Sequence, residues 1–227
     1  MMSSLPRPSS LAWGIALLAM VFGGCSSGGG SSKALDPLES AQVVAGVGLG
    51  ELRIGDPLRS VTRRFGVGAP AAIVTDDYWV ELRYRGGQLV LLFPLRDGCL
   101  RSLQAAGRVV EQIGRIPDPD AFFSSHAPCG EAPLASLALT TDDPADPVFG
   151  GATDRGIRLG SDRDAVLAAY GPPGERAPGM LYAADSPGDD RLDAAFYPSG
   201  LALYLAPPDD AGPWQVRKIL LFRPQAS

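Results

Sequence analysis

The sequence predicts an α+β fold of two tandem repeats, each a short helical segment packed on an antiparallel β-meander. Three observations lead there. The stretch Gly156–Gly171 reads as a short apolar strand, a turn, a capped helix and a glycine stop. A weaker copy stands 105 residues upstream: between residues 52–66 and 157–171, four of fifteen positions are identical and three are conservative apolar exchanges. Each copy is followed by apolar strands broken by turn residues, and Tyr84/Gly87 and Tyr197/Gly200 keep the same three-residue spacing. With 28 glycines and 21 prolines, turns are many and helices short.

Residues 1–24 read as an export signal: Arg7 precedes the apolar run Leu11–Phe22, which is too short to span a bilayer core as a helix. Phe22-Gly23-Gly24-Cys25, followed by Ser26-Ser27-Gly28-Gly29-Gly30, resembles the lipobox of bacterial lipoproteins. That resemblance implies acylation of Cys25, cleavage just before it and, with Ser26 next, an outer-membrane address facing the periplasm. Residues 25–42 are then a flexible tether. Membrane contact is expected through the lipid at Cys25. The net charge of -5 and the absence of any Lys/Arg run argue against a nucleic-acid partner.

The first repeat is expected over 43–107. Leu52–Ile54 reads as a strand. Asp56 can accept from backbone N–H groups of the next turn, and Pro57 suits the first helical position. Leu58, Val61 and Phe65 mark one helix face, and Gly66 its left-handed end. Val80, Leu82 and Tyr84 alternate with Glu81 and Arg83, as in a half-buried strand. Arg85–Gln88 is a tight turn, Leu89–Phe93 a second strand and Cys99–Ala105 a third. Residues 108–150 read as a crossover whose prolines exclude long elements. Val109–Ile113 could be strand or helix there, and Leu134–Thr141 could be one strand.

The second repeat, 151–227, begins with a strand at Ile157–Leu159. Ser161 and Asp164 form a pair like a capping box, Val166 and Tyr170 mark the buried face, and Gly171 ends the helix. Strands follow at Leu192–Phe196, Leu201–Leu205 and Trp214–Phe222.

The pattern Gly-apolar-x-apolar-Gly-[Ser/Asp], then Val, [Phe/Tyr]-Gly and a meander, resembles repeats of the BamE (SmpA/OmlA) lipoproteins and the tandem repeats of β-lactamase inhibitor protein. The resemblance implies short helical segments on one face of an antiparallel sheet. BamE-type proteins carry one such repeat and begin it with a helix, whereas this chain carries two copies that each read as beginning with a strand. No functional residue is carried over from either family.

With Cys25 assigned to lipid, Cys99 and Cys129 form an even pair in an oxidising compartment, which suggests a disulfide closing about 30 residues; two buried thiols are the alternative. The single histidine, His126, makes only His-x-x-Cys with Cys129, too few ligands for a metal. No Gly-x-Ser-x-Gly elbow falls in the region expected to fold. Asp142, Asp143 and Asp146 lack the alternation of a calcium loop. Gly46, Gly48, Gly50 and Gly55 lack the strand–helix setting of a phosphate loop. No cofactor, metal or catalytic residue is therefore expected. Trp79 and Trp214, at strand starts, are the candidates for an aromatic binding surface. The sequence points to a non-enzymatic, lipid-anchored envelope module with a protein partner. The alternative is a periplasmic small-molecule or cell-wall-ligand binding protein, or a hydrolase with an unrecognised site.

Overall fold

The computed structural model describes residues 35–66, 71–74, 79–106, 119–174, 193–207 and 212–224. The signal segment, Cys25, most of the tether, Val109–Ile113 and Leu192 lie outside them. Helix α1 (Asp36–Glu39) leads into a small antiparallel sheet of β1 (Val43–Val44), β2 (Gly48–Leu49) and β3 (Leu52–Arg53). Helix α2 (Leu58–Phe65) is followed by β4 (Ala71–Val74), β5 (Trp79–Tyr84) and β6 (Leu89–Pro94). Three helices, α3 (Asp97–Ala105), α4 (Pro119–Ser125) and α5 (Ala127–Gly130), separate β6 from β7 (Ser136–Thr140). Helix α6 (Arg163–Tyr170) precedes β8 (Asp193–Tyr197), β9 (Leu201–Ala206) and β10 (Gln215–Phe222). The large sheet has seven antiparallel strands in the order β4-β5-β6-β7-β10-β9-β8. The chain is thus α+β, with two antiparallel sheets.

Helix α2 buries Leu58, Val61 and Phe65, the stripe their spacing requires. Gly66 and Gly171 end α2 and α6 at φ 72° and 75°, a region that disfavours a side chain. The helix starts differ from expectation. Pro57 is the residue before α2 and makes no side-chain cap, and Asp56 Oδ2 accepts from the N–H of Arg53 behind it, 2.8 Å. Ser161 likewise accepts from Arg158 N–H, 3.0 Å, and Asp162 caps α6 by accepting from Ala165 N–H, 2.7 Å. Asp56 and Ser161 therefore close turns; a side chain already bonded backward does not serve the helix.

The same bonds recur around α2 and α6. The N–H of Gly55 donates to Leu134 C=O and that of Gly160 to Val216 C=O, both 2.8 Å. Leu134 and Val216 return N–H bonds to Asp56 and Ser161, 2.7 and 2.8 Å. The first helical N–H groups, of Leu58 and Arg163, donate to Ala132 and Trp214, 2.8 and 2.9 Å. Tyr84 and Tyr197 hydroxyls donate to Gly66 and Gly171 carbonyls, 2.9 and 3.3 Å. At the sheet centre β7 pairs with β10 through Leu137↔Leu221, Ala138↔Leu220 and Leu139↔Ile219, a register symmetric about Ala138 and Leu220.

Two expected strands are absent. Cys99–Ala105 is helix α3, because Cys99 and Leu103, four apart, supply its buried face. The strand beside β6 is β7, from the stretch expected to be crossover, and α3, α4 and α5 lie between the two among the described residues. Ile157 and Leu159 are buried but join no ladder; Ile157 instead exchanges bonds with Thr153, accepting from its N–H at 2.7 Å and donating to its hydroxyl at 3.0 Å. The turn after Tyr84 is also one residue longer than that after Tyr197, since Tyr84 pairs with Leu89 and Tyr197 with Leu201.

Candidate functional surface

The large sheet has two apolar faces. Each of the described helices α1 to α6 places buried residues in the cluster on one face, with Leu82, Leu91, Leu137, Ile219, Leu203 and Tyr197 from the strands. The opposite face carries a separate cluster of Trp79, Leu92, Ala138, Ala202, Tyr204, Leu220 and Phe222, with Val90, Ala194 and Phe196 partly buried against it. These outer side chains follow from alternation: Val90, Ala138, Leu220, Ala202 and Phe196 form one cross-strand row. Leu220 stands at its middle between two alanines, Ala138 and Ala202, and Phe196 at one end. Phe196 meets Tyr204 edge-on at 6.1 Å, and Lys218 Nζ lies 4.8 Å from the Tyr204 ring centroid.

Trp79 belongs to this face but is only 5% exposed, so the expected exposed tryptophan is not found. Trp214 is half-buried on the helix side, packed against the main core. The two tryptophans thus lie on opposite faces and form no common surface. Glu81, expected to face water on a half-buried strand, is 4% exposed and bonds to Arg83 on the same strand. Alternation set Glu81 on the face opposite Val80, Leu82 and Tyr84; it could not show that both faces are buried. The residues that sequence reasoning missed here are Tyr204, Lys218 and Phe222. The signal was in β9 and β10, which are apolar on both faces, unlike strands with one wet side.

The candidates for chemistry hold structural positions. Cys99 and Cys129 are bonded, joining α3 to α5 with Cα atoms 4.5 Å apart. His126 is buried, its Nδ1 3.1 Å from Ser102 Oγ and its ring 5.0 Å from Phe122. Asp143 Oδ1 accepts from Ala145 N–H at 2.9 Å, and its carbonyl from the Thr141 hydroxyl at 2.7 Å, which closes a turn. A Cβ on Gly48 would fall 1.9 Å from Leu52 O, so this glycine serves close backbone packing rather than a phosphate. Among the described residues no three His, Cys, Asp or Glu side chains converge on a metal position. No helix among them is long and apolar enough to cross a membrane.

A shallow cleft of about 270 Å³ is lined by Pro144, Ala145, Pro147, Gly150, Arg158, Leu159 and Gly160. Arg158 is its one charged wall. At the end of α6, the Tyr170 ring stands 4.9 Å from that of Tyr197, and Arg155 lies 4.9 Å from the Tyr170 ring. Burial raises the hydroxyl pKa of both tyrosines, and the Asp154 carboxylate adds to the rise at Tyr170. Neither the cleft nor the pair brings together an acid, a base and a nucleophile.

The chain matches no family model, no curated protein and no solved structure.

Proposed function

We propose that the folded part is two copies of one unit, helix and three-stranded meander, joined edge to edge, and that it serves as a non-enzymatic binding module held to the envelope by lipid at Cys25. The recurrent bonds around Gly55 and Gly160, and the symmetric register at Ala138 and Leu220, support the duplication. In this reading β5, β6 and β7 correspond to β8, β9 and β10. The excursion 95–131 is an insertion in the first copy, and Cys99–Cys129 fastens its base.

The observation that carries the binding role is the outer sheet face: apolar and aromatic residues from six strands, β5 to β10, with no helix among the described residues placing a buried residue in its cluster, and with Trp79, Ala138, Ala202, Leu220 and Phe222 themselves buried. Its partly buried members, Val90, Ala194 and Phe196, offer the contact, and a partner protein with an apolar segment fits it. A photo-crosslinking amino acid at Phe196, in the cells that make the protein, tests this. One discrete adduct with another protein, lost when Val90 is changed to Asp, supports the reading; adducts only to lipid or within the chain defeat it. Anchoring is tested separately by incorporation of labelled palmitate, which should disappear in Cys25→Ser.

A further inference from the structure

The cleft beside Gly160 has fixed walls and one unused polar handle. One wall is the loop of Pro144, Ala145 and Pro147. Three bonds hold that loop: the Thr141 hydroxyl donates to Asp143 C=O at 2.7 Å, Ala145 N–H to Asp143 Oδ1 at 2.9 Å, and Arg217 Nη1 to Asp142 C=O at 2.8 Å. Gly150, which also lines the cleft, donates its N–H to Glu39 C=O at 2.8 Å. The other wall is the turn of Arg158, Leu159 and Gly160. Gly160 N–H donates to Val216 C=O at 2.8 Å, and Arg158 N–H to the Ser161 hydroxyl oxygen at 3.0 Å. The walls meet without slack, because a Cβ on Gly160 would fall 2.4 Å from Pro144 O. The cleft is therefore formed before any ligand enters, which spares the cost of ordering it on binding.

The handle is the Arg158 side chain. It is exposed and makes no hydrogen bond or ion pair among the described residues, although the facing loop carries Asp142, Asp143 and Asp146. A guanidinium takes a carboxylate through two parallel N–H bonds, and proline, leucine and alanine walls take an aliphatic body. At about 270 Å³ the cleft lies at the small end of ligand sites. We infer that it binds a small carboxylate with a short aliphatic body, the carboxylate on Arg158 and the body against Pro144, Pro147 and Leu159. The three loop aspartates oppose a bare anion, so the apolar contact is needed besides the guanidinium. Arg53 holds the place of Arg158 in the first copy, but the surroundings differ: a Cβ on Gly55 would lie 3.5 Å from Arg223 Nη2, not against a proline loop. None of the cleft residues belongs to the outer sheet cluster, so the site stands or falls separately from the binding role proposed above.

Titration of the full chain with butanoate at constant ionic strength, followed by amide NMR, tests the site. The amides of Ala145, Gly150, Leu159 and Gly160 should shift together and saturate, with a Kd of about 1 mM for so small a ligand. Arg158→Gln should raise that Kd roughly tenfold. Arg53→Gln should leave it unchanged. Butanamide keeps the body without the charge, and formate keeps the charge without the body; each should bind roughly tenfold more weakly. Equal binding of butanamide, an unaltered Kd in Arg158→Gln, or an Arg53→Gln effect as large as that of Arg158→Gln would overturn the site. So would shifts that fail to saturate at roughly twenty times the expected Kd. Formate binding as well as butanoate would mean an adventitious ion only, and would overturn it too.

Discussion

Replacing Cys99 and Cys129 by alanine should lower stability by about 4–6 kcal/mol without changing the sheet. The bonded cysteines are separated by 30 residues, a loop whose closure is worth about 3.6 kcal/mol in the chain-entropy description. Both are buried, at 1% and 0% exposure, so truncation adds roughly 1 kcal/mol for lost packing at each site. For a chain of this size that corresponds to about 10–20 °C in Tm. Chemical denaturation followed by circular dichroism separates the two contributions. The crosslink acts on the unfolded chain, so its removal should raise the m-value as well as lower the midpoint; a packing loss alone would leave m unchanged. Peptide mapping of unreduced protein should show the Cys99–Cys129 crosslink. A variant within 1 kcal/mol of the unaltered protein, or two thiols alkylated without reduction, would refute the reasoning.

Tyr84→Phe and Tyr197→Phe should each cost about 1 kcal/mol in denaturant melts, since each removes the bond to a helix-ending glycine carbonyl; costs that differ several-fold would argue that the two sites do not correspond. Asp162→Ala should cost about 1 kcal/mol and Asp162→Asn much less, because asparagine also caps; equal losses would mean that the charge, not the acceptor, matters. Tyr170 and Tyr197 should ionise above the ordinary value of 10.0 in an ultraviolet titration. Their folded-state values are raised, so their contribution to stability is complete below the unfolded value and is lost as pH rises through the folded one. In a Trp214→Phe variant beginning at Ser26, the remaining Trp79 should emit at short wavelength and resist acrylamide, as 5% exposure requires; strong quenching would place it on an open surface.

Local signals in the sequence located much of this fold. The stripe Leu58, Val61 and Phe65, the glycine stops and the apolar runs of β5, β6, β9 and β10 all report backbone preference and one buried face, which neighbouring residues decide. The disulfide was legible because only two cysteines remain for the folded part. Elements set by distant partners were not legible. Cys99–Ala105 carries apolar residues at spacings that suit strand or helix, and its place beside α5 is decided by a cysteine 30 residues away. Ile157 and Leu159 have period-two burial, yet they join no ladder, and the backbone groups of Ile157 bond to Thr153 instead. The pairing of β7 with both β6 and β10 joins residues far apart in the chain, and no local pattern in Ser136–Thr140 encodes it. The same limit applies to the candidate surface. Alternation puts Ala138 and Leu220 each on one face of its strand, but the row they share comes from the distant pairing, and whether Trp79 faces water depends on what packs over it.

Nuclear Overhauser contacts across the sheet centre, measured on the chain beginning at Ser26, test the two-copy architecture most directly. The account predicts cross-strand contacts at Leu137/Leu221, Ala138/Leu220 and Leu139/Ile219, with Leu89 opposite Leu139 on β6 and Leu201 opposite Leu221 on β9. Contacts shifted by one residue, or a strand other than β7 lying between β6 and β10, would break the symmetry about Ala138 and Leu220 and contradict it.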